Sequence, residues 1–250
     1  MIALRTTPRS RDAKVGETAR VLALFVREAQ PASAELSAFG CECSAGDSLL
    51  ESCIAAGIAD VALICSHGAR VERRGANARD AARFDRPEAA DGDGAPFAGT
   101  ADALYRNRGL IEAFAPDYAL VHAGGAAHPT DYRALLDAHI GGGLGATVAC
   151  VEMPLAAARD FGVVGLGKGG RVVRYAHKPA QPQPRPHDAT TALVSTEVFV
   201  FDRELLIDVL SVDAADRWSG HDINRDVLPI LIQAGGVSAW VLRRDLETAG

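Results

Sequence analysis

Residues 117–132 read DYALVHAGGAAHPTDY, and the order of events in them decides the fold. Asp117 to Ala123 is an apolar run of strand length, Gly124 to Ala127 are four small residues, and TDYRALLDAHIGG (130–142) has helical spacing with Thr130 or Asp131 as its cap. A strand that turns through a short loop into a helix is the repeating unit of an open α/β sheet. In such sheets ligands lie beyond the carboxyl ends of the strands. The tip of this strand, however, offers neither a carboxylate nor a hydroxyl.

The same unit recurs on both sides. Upstream lie the apolar strands RVLALFVR (20–27) and ADVALIC (59–65), with the helical pattern DSLLESCIAAGI (47–58) between them. Asp47 or Ser48 can cap that helix and Gly57 can stop it. GTADALYRNRGLIEAFAP (99–116) reads as one helix ended by Pro116, and GATVACVE (145–152) as another strand. Strands alternating with helices predict right-handed crossovers and a parallel, doubly wound sheet. FGVVGLGKGGRVVRYAHKP (161–179) predicts a hairpin turning at Gly167–Gly170, an antiparallel insertion. ALVSTEVFVF (192–201), helices over 203–211 and 222–234, and VSAWVL (237–242) complete the pattern. Arg70 to Ala95 shifts to Arg, Ala, Asp and Gly and reads as a surface loop. Residues 1–19 read as a loosely attached arm and 20–250 as one domain.

Bulk composition sets limits on function. The chain has 250 residues, 48% hydrophobic and 23% charged, with a net charge of −6. That is a globular composition with no electrostatic reason to bind nucleic acid or an anionic membrane. No apolar run is long enough for a spanning helix, and the start lacks the apolar core of a signal peptide, so the cytoplasm is the expected location. Five cysteines do not suggest a disulfide framework. Cys53, Cys65 and Cys150 read as small core residues; Cys41-Glu42-Cys43 is a bare C-x-C without the second pair a metal site needs.

Three stretches carry chemistry. In PFAGTADAL (96–104), Gly99 and Thr100 either bring backbone amides close to a ligand or simply start a helix. In YAHKPAQP (175–182), Lys178 at a strand end either meets a phosphate as a point charge or is a solvated surface charge, with His177 beside it a surface histidine. In GHDINRDVLP (220–229), Asp222 caps a helix or, with a partner carboxylate, reaches a divalent cation.

Taken together and in order, these stretches resemble the nucleotidyltransferase domain of the ADP-glucose pyrophosphorylase (glucose-1-phosphate adenylyltransferase) family. Ala98-Gly99-Thr100-Ala101-Asp102-Ala103, Phe161-Gly162-Val163, His177-Lys178-Pro179, Ser195 to Phe201 and His221 to Asp226 carry the likeness, supported by Phe39-Gly40, Asp47 and Cys53-Ile54. The resemblance implies a Rossmann-like mixed, mainly parallel sheet with helices on both faces, the nucleotide-diphospho-sugar transferase fold. It implies ATP and glucose 1-phosphate as substrates, ADP-glucose for glycogen as product, and Mg²⁺ held by two carboxylates. It assigns Gly99, Thr100, Gly162, Lys178 and Ser195 to substrate binding and Asp222 to the metal.

The same alignment exposes departures. The family's Gly-rich triphosphate loop should follow the first strand, yet no glycine stands between Val21 and Phe39, and Glu28 and Glu35 would repel phosphate. The family's second metal Asp falls on Gly125. His177 stands where a sugar-binding Glu is expected, and Glu197 where a Gly should leave room. Without cradle and carboxylate, little or no turnover and poor ATP binding are expected, with no confident catalytic residue. The other reading is a non-catalytic sugar-phosphate-binding or regulatory subunit that pairs with an active paralogue in a hetero-oligomer. The family's C-terminal β-helix is expected to be absent, since the sequence stops at Gly250.

Overall fold

The computed structural model describes residues 19–27, 51–65, 68–74, 81–84, 96–124 and 130–242. The N-terminal arm, Cys41 to Cys43, the segment after the first strand and Gly125 lie outside them. Why the sheet is buried on both faces is visible in its first strand, β1 (Val21–Arg27). Leu22, Leu24 and Val26 join one hydrophobic cluster and Ala23 and Phe25 the other. Successive side chains of a strand point to opposite faces, so an unbroken apolar run requires cover on both.

That cover comes from helices. On the first face lie α2 (Thr100–Arg106), α3 (Arg108–Phe114) and α5 (Arg203–Ala214), through Ala101, Leu104, Ile111, Leu205 and Leu206. On the second lie the helical residues 51–55 (α1) and α4 (Tyr132–Gly142), through Cys53, Tyr132, Leu135 and Leu136. Each fully buried Leu or Ile contributes about 1.5–3 kcal/mol. Asp131 caps α4, its carboxylate accepting from Ala134 N at 3.0 Å.

The strands β2 (Asp60–Cys65), β5 (Tyr118–His122), β6 (Ala146–Pro154), β9 (Thr191–Asp202) and β10 (Val237–Val241) join β1 in the order β10-β6-β9-β5-β1-β2. β1 is parallel to both β2 and β5, and β10 is parallel to β6. Of these six, β9 alone is reversed, antiparallel to β5 and β6. The sheet is therefore mixed and mainly parallel with helices on both faces, as expected. Because the chain leaves β1 towards β2 on one side and returns to β5 on the other, the carboxyl end of β1 is the topological switch point. β7 (Gly162–Leu166) and β8 (Val172–His177) form the expected hairpin, which joins β9 through Val163 opposite Val194.

Three local expectations need correction. The segment read as a loop after Arg70 contains β3 (Gly68–Arg74) and β4 (Ala81–Phe84), added in antiparallel order beyond β2. Backbone pairing at a sheet edge needs no apolar alternation, which is why the composition concealed it. The helix read over 99–116 is divided at Asn107, which has φ −107° and ψ 16° and whose side-chain amide donates to Ala103 O at 2.8 Å. The helix read over 222–234 begins with a π-helical stretch, Ile223–Val227, before α6 (Leu228–Gln233).

Candidate functional site

At the carboxyl ends of the parallel strands, the register of four strands sets a row of residues side by side. Ser195 on β9 faces Cys150 on β6, Val194 beside it faces Val163 on β7, and Gly162 on β7 faces His177 on β8. The row ends at Lys178, an exposed side chain whose backbone has φ 44° and whose N–H donates to Phe161 O at 3.1 Å. Ser195, Gly162 and Lys178, far apart in sequence, are thus brought to one edge. A Cβ on Gly162 would collide with the ring and hydroxyl of Tyr175, so the smallest residue is what lets that ring lie flat across β7.

Ser195 is buried, and its Oγ accepts from Glu197 N at 3.1 Å. That bond belongs to an irregularity in β9. The β6 partners pass from Val148 opposite Phe199 to Cys150 opposite Ser195, so β9 spends 196–198 against a single residue of β6. Thr196 Oγ1 donates to Ala149 O at 3.1 Å, and Glu197 has φ 62°. A bulge of this kind re-aims a side chain. Here the Glu197 carboxylate is aimed at the tip of β5, where Oε2 fills the space that a Cβ on Gly124 would need.

A second group meets this one from below α2. Ala101 N and Asp102 N donate to His221 O at 2.8 and 3.3 Å, and any Cβ on Gly99 would strike the Gly220 and His221 carbonyls. Gly99 is therefore required by close backbone approach, and it, not Thr100, is the N-cap residue. Thr100 Oγ1 is buried between two partners, donating to Asp222 Oδ2 at 3.1 Å and accepting from Ile223 N at 2.9 Å. The other oxygen of Asp222 accepts from Arg225 N at 2.8 Å, and Asp222 N donates to Asp226 Oδ2 at 3.0 Å. Asp222 is thus a helix cap whose carboxylate has hydrogen-bonded partners on both oxygens. His221, with φ 55°, is anchored from behind: its Nδ1 lies 2.9 Å from the buried Asp213 carboxylate, which also accepts from Ser219 Oγ at 2.6 Å.

Tyr175 links the two groups and was not legible as a site residue, although it shares the β8 face of His177 by the two-residue period. Its hydroxyl donates to Asn224 Oδ1 at 3.3 Å. Burial, and then the Glu197 and Asp222 carboxylates, push its pKa well above the ordinary tyrosine value. Both carboxylates therefore bear on one hydroxyl. They are the oxygen donors a divalent cation takes, but Asp222 is committed to capping. Among the described residues no group of three His, Cys, Asp or Glu side chains converges. The residues described do not by themselves make a metal site.

A second polar cluster sits at the opposite end of the sheet. His139 Nδ1 lies 2.8 Å from Thr147 Oγ1, which lies 2.9 Å from Ser238 Oγ, and His139 Nε2 lies 3.3 Å from Asp202 Oδ1. The ring of Tyr118 packs edge-on against His139 at 5.2 Å. Elsewhere in the core, burial raises the thiol pKa of Cys53 to about 12 and pushes Cys150 up too, so both behave as the small core residues expected. No helix among the described residues is long and apolar enough to cross a membrane.

Known proteins resemble this chain in sequence. Residues 36–246 match the nucleotidyl transferase family. The glucose-1-phosphate adenylyltransferase of Paramagnetospirillum magneticum is 37% identical over 143 residues, 57% of this chain and 33% of that protein. Glucose-1-phosphate adenylyltransferase 2 of Alkalilimnicola ehrlichii is 37% identical over 158 residues, 63% of this chain and 37% of that protein. The corresponding enzyme of Albidiferax ferrireducens is 38% identical over 143 residues, 57% of this chain and 34% of that protein. The chain thus spans about a third of the length of these curated relatives.

Proposed function

The chain belongs to the nucleotidyl transferase family, and from that premise we propose that it is a glucose-1-phosphate adenylyltransferase-like domain that keeps the sugar side of its pocket but transfers little or no adenylyl group. The reaction at issue is attack of the sugar phosphate on the α-phosphorus of ATP to give ADP-glucose, the precursor of glycogen. One observation carries this reading. β1 occupies the switch point between β2 and β5, yet no glycine stands between Val21 and Phe39 in the sequence that leaves it.

A triphosphate at that position is held by successive backbone N–H groups, and only a loop with glycine-like freedom can turn enough of them inward. Phosphoryl chemistry depends almost wholly on such positioning and on charge neutralisation. Losing a single preorganised stabilising group commonly costs about 10²–10³ in kcat. Here the loop and the carboxylate at position 125 are both missing from the sequence. Of the two carboxylates by which the family would hold Mg²⁺, the sequence keeps Asp222 alone, and both its oxygens are engaged by Thr100 and Arg225. Thr100 holds Asp222 in place, and Ser195, Gly162 and Lys178 form the row on which a sugar phosphate would lie.

A coupled pyrophosphate-release assay with ATP, glucose 1-phosphate and Mg²⁺ tests the reading. The expected result is turnover at background. Turnover matching that of an intact family enzyme would sink it.

A further inference from the structure

We propose that the open edge of β8 is a docking surface for an extended acidic segment of a partner protein, which adds to the β7–β8 hairpin as a further strand. That edge faces away from β7, so the surface exists whatever the sugar pocket holds.

Charge singles out this part of the chain. From Phe161 to His187 the sequence carries Lys168, Arg171, Arg174, Lys178 and Arg185 and no Asp or Glu, although the whole chain has a net charge of −6. The run folds into β7, β8 and the proline-rich loop at 179–187. Arg185 is neutralised there by Glu152, with Nη1 2.6 Å from Oε1. Arg171 and Arg174 find only neutral acceptors, Gly235 O at 2.6 Å and Gln183 Oε1 at 2.9 Å. Both arginines are exposed, and neither has a carboxylate partner among the described residues. Val173, 57% exposed, stands between them as an apolar contact.

Register supplies the edge. β8 pairs with β7 alone. Lys178 N donates to Phe161 O, and in an antiparallel ladder hydrogen-bonded and non-hydrogen-bonded pairs alternate. With Gly162 opposite His177, Val163 opposite Ala176 and Val164 opposite Tyr175, the backbone groups of Ala176 turn towards β7 and those of Tyr175 and His177 turn away. No described residue bonds to that outward pair. Arg171 bridges to Ser238 of β10, and the register shifts beside Val173, so the edge is open from Arg174 onward.

An open edge accepts a strand, and its side chains select which one. A second copy pairing through the same residues sets the basic Arg174, His177 and Lys178 of the two chains against one another, which is unfavourable across a ladder. Nucleic acid meets the negative charge of the chain as a whole. A segment with Asp or Glu at alternate positions instead meets Arg174 with opposite charge while its backbone continues the ladder.

Fluorescence anisotropy of the full chain with a short labelled peptide of alternating Glu and Val tests the proposal, with a Lys-Val peptide and a single-stranded RNA of equal charge as controls. The acidic peptide is expected to bind, more weakly as salt rises, and to bind better than either control. Arg174→Glu should weaken it roughly tenfold, and Arg174→Gln, a milder change should the first disturb the hairpin, in the same direction. Hydrogen exchange should show the Tyr175 and His177 amides protected only when the peptide is bound. Absence of binding, RNA binding as tightly as the peptide, or indifference to both variants would overturn the proposal. So would amides that stay unprotected in the complex, or amides already protected in the free chain as its concentration rises, which would assign the edge to a second copy.

Discussion

At the amino ends of the parallel strands, a hydroxyl, an imidazole and a carboxylate stand in hydrogen-bonded sequence through Thr147, His139 and Asp202. At the carboxyl ends, Thr100, Asp222, Glu197 and Tyr175 form a group of similar residue types. By composition the first set is the better imitation of a nucleophile activated by a base and an orienting acid. Yet Thr147 and His139 are each only 2% exposed and are packed between α4, β6 and β10, with no way for a substrate to reach them. The second set lies at the switch point and is partly open. Lys178, Glu197 and His221 all adopt left-handed backbone there, whereas Ala115, the other such non-glycine residue among those described, merely ends α3. Position in the sheet and local strain, not the roster of side chains, separate a site from a structural network.

The comparison can be broken at either end. The largest effect is expected from His139→Ala, which removes both bonds of the lower network and opens a cavity. Stability should fall by about 3 kcal/mol, on the order of 10 °C in Tm, with ligand binding at the other end unchanged. Loss of ligand binding in a protein that still folds would contradict the separation of the two ends. Thr100→Val deprives Asp222 of a donor and Ile223 N of its acceptor. Calorimetric unfolding should show a loss of about 2 kcal/mol, and an unchanged midpoint would mean the bridge between α2 and 222–223 is unimportant.

Glu197→Gly should act in the opposite direction. Relief of a left-handed non-glycine residue is worth about 1 kcal/mol, so Tm should rise by roughly 2 °C. A fall would show that the bulge is held by the carboxylate rather than in spite of it.

The smallest effect concerns Asp188 in the proline-rich loop. Its side chain accepts from Thr190 Oγ1 at 2.6 Å and Thr191 Oγ1 at 2.7 Å, which hold its pKa at about 2. A folded pKa below the unfolded one means the stabilisation is full above the unfolded value, about 4, and is lost as pH falls towards 2. Asp188→Asn should therefore flatten the acid limb slightly between those values, as read by chemical shifts of Thr190 and Thr191. An identical acid limb in both proteins would show that these bonds do not titrate with the loop.

Much of this architecture is readable from residue order, and the reasons are physical. Val21 to Val26 and Ala119 to Val121 are apolar on both faces, which only a strand buried between helices satisfies. Asp131 and Gly57 mark helix ends because a carboxylate cap and a left-handed stop (φ 76° at Gly57) have few substitutes. The motifs around Gly99, Ser195 and Asp222 are specific enough to lead to the family. The outer strands β3 and β4 escaped detection because ladder hydrogen bonds come from the backbone and leave little trace in side-chain type. The break at Asn107 escaped because its side chain competes with the helix only once Ala103 O is in reach.

What the sequence by itself determined is the alternation of buried strands and helices, the family, and the presence of a carboxylate at position 197. Those properties depend on periodicity and on local chain chemistry. What the tertiary structure alone decided is where that carboxylate goes. The left-handed bulge of β9, the bare Cα of Gly124 on the neighbouring strand, and Tyr175 from a hairpin elsewhere in the chain meet only after the sheet has closed. Their meeting depends on register across strands, which no single segment encodes.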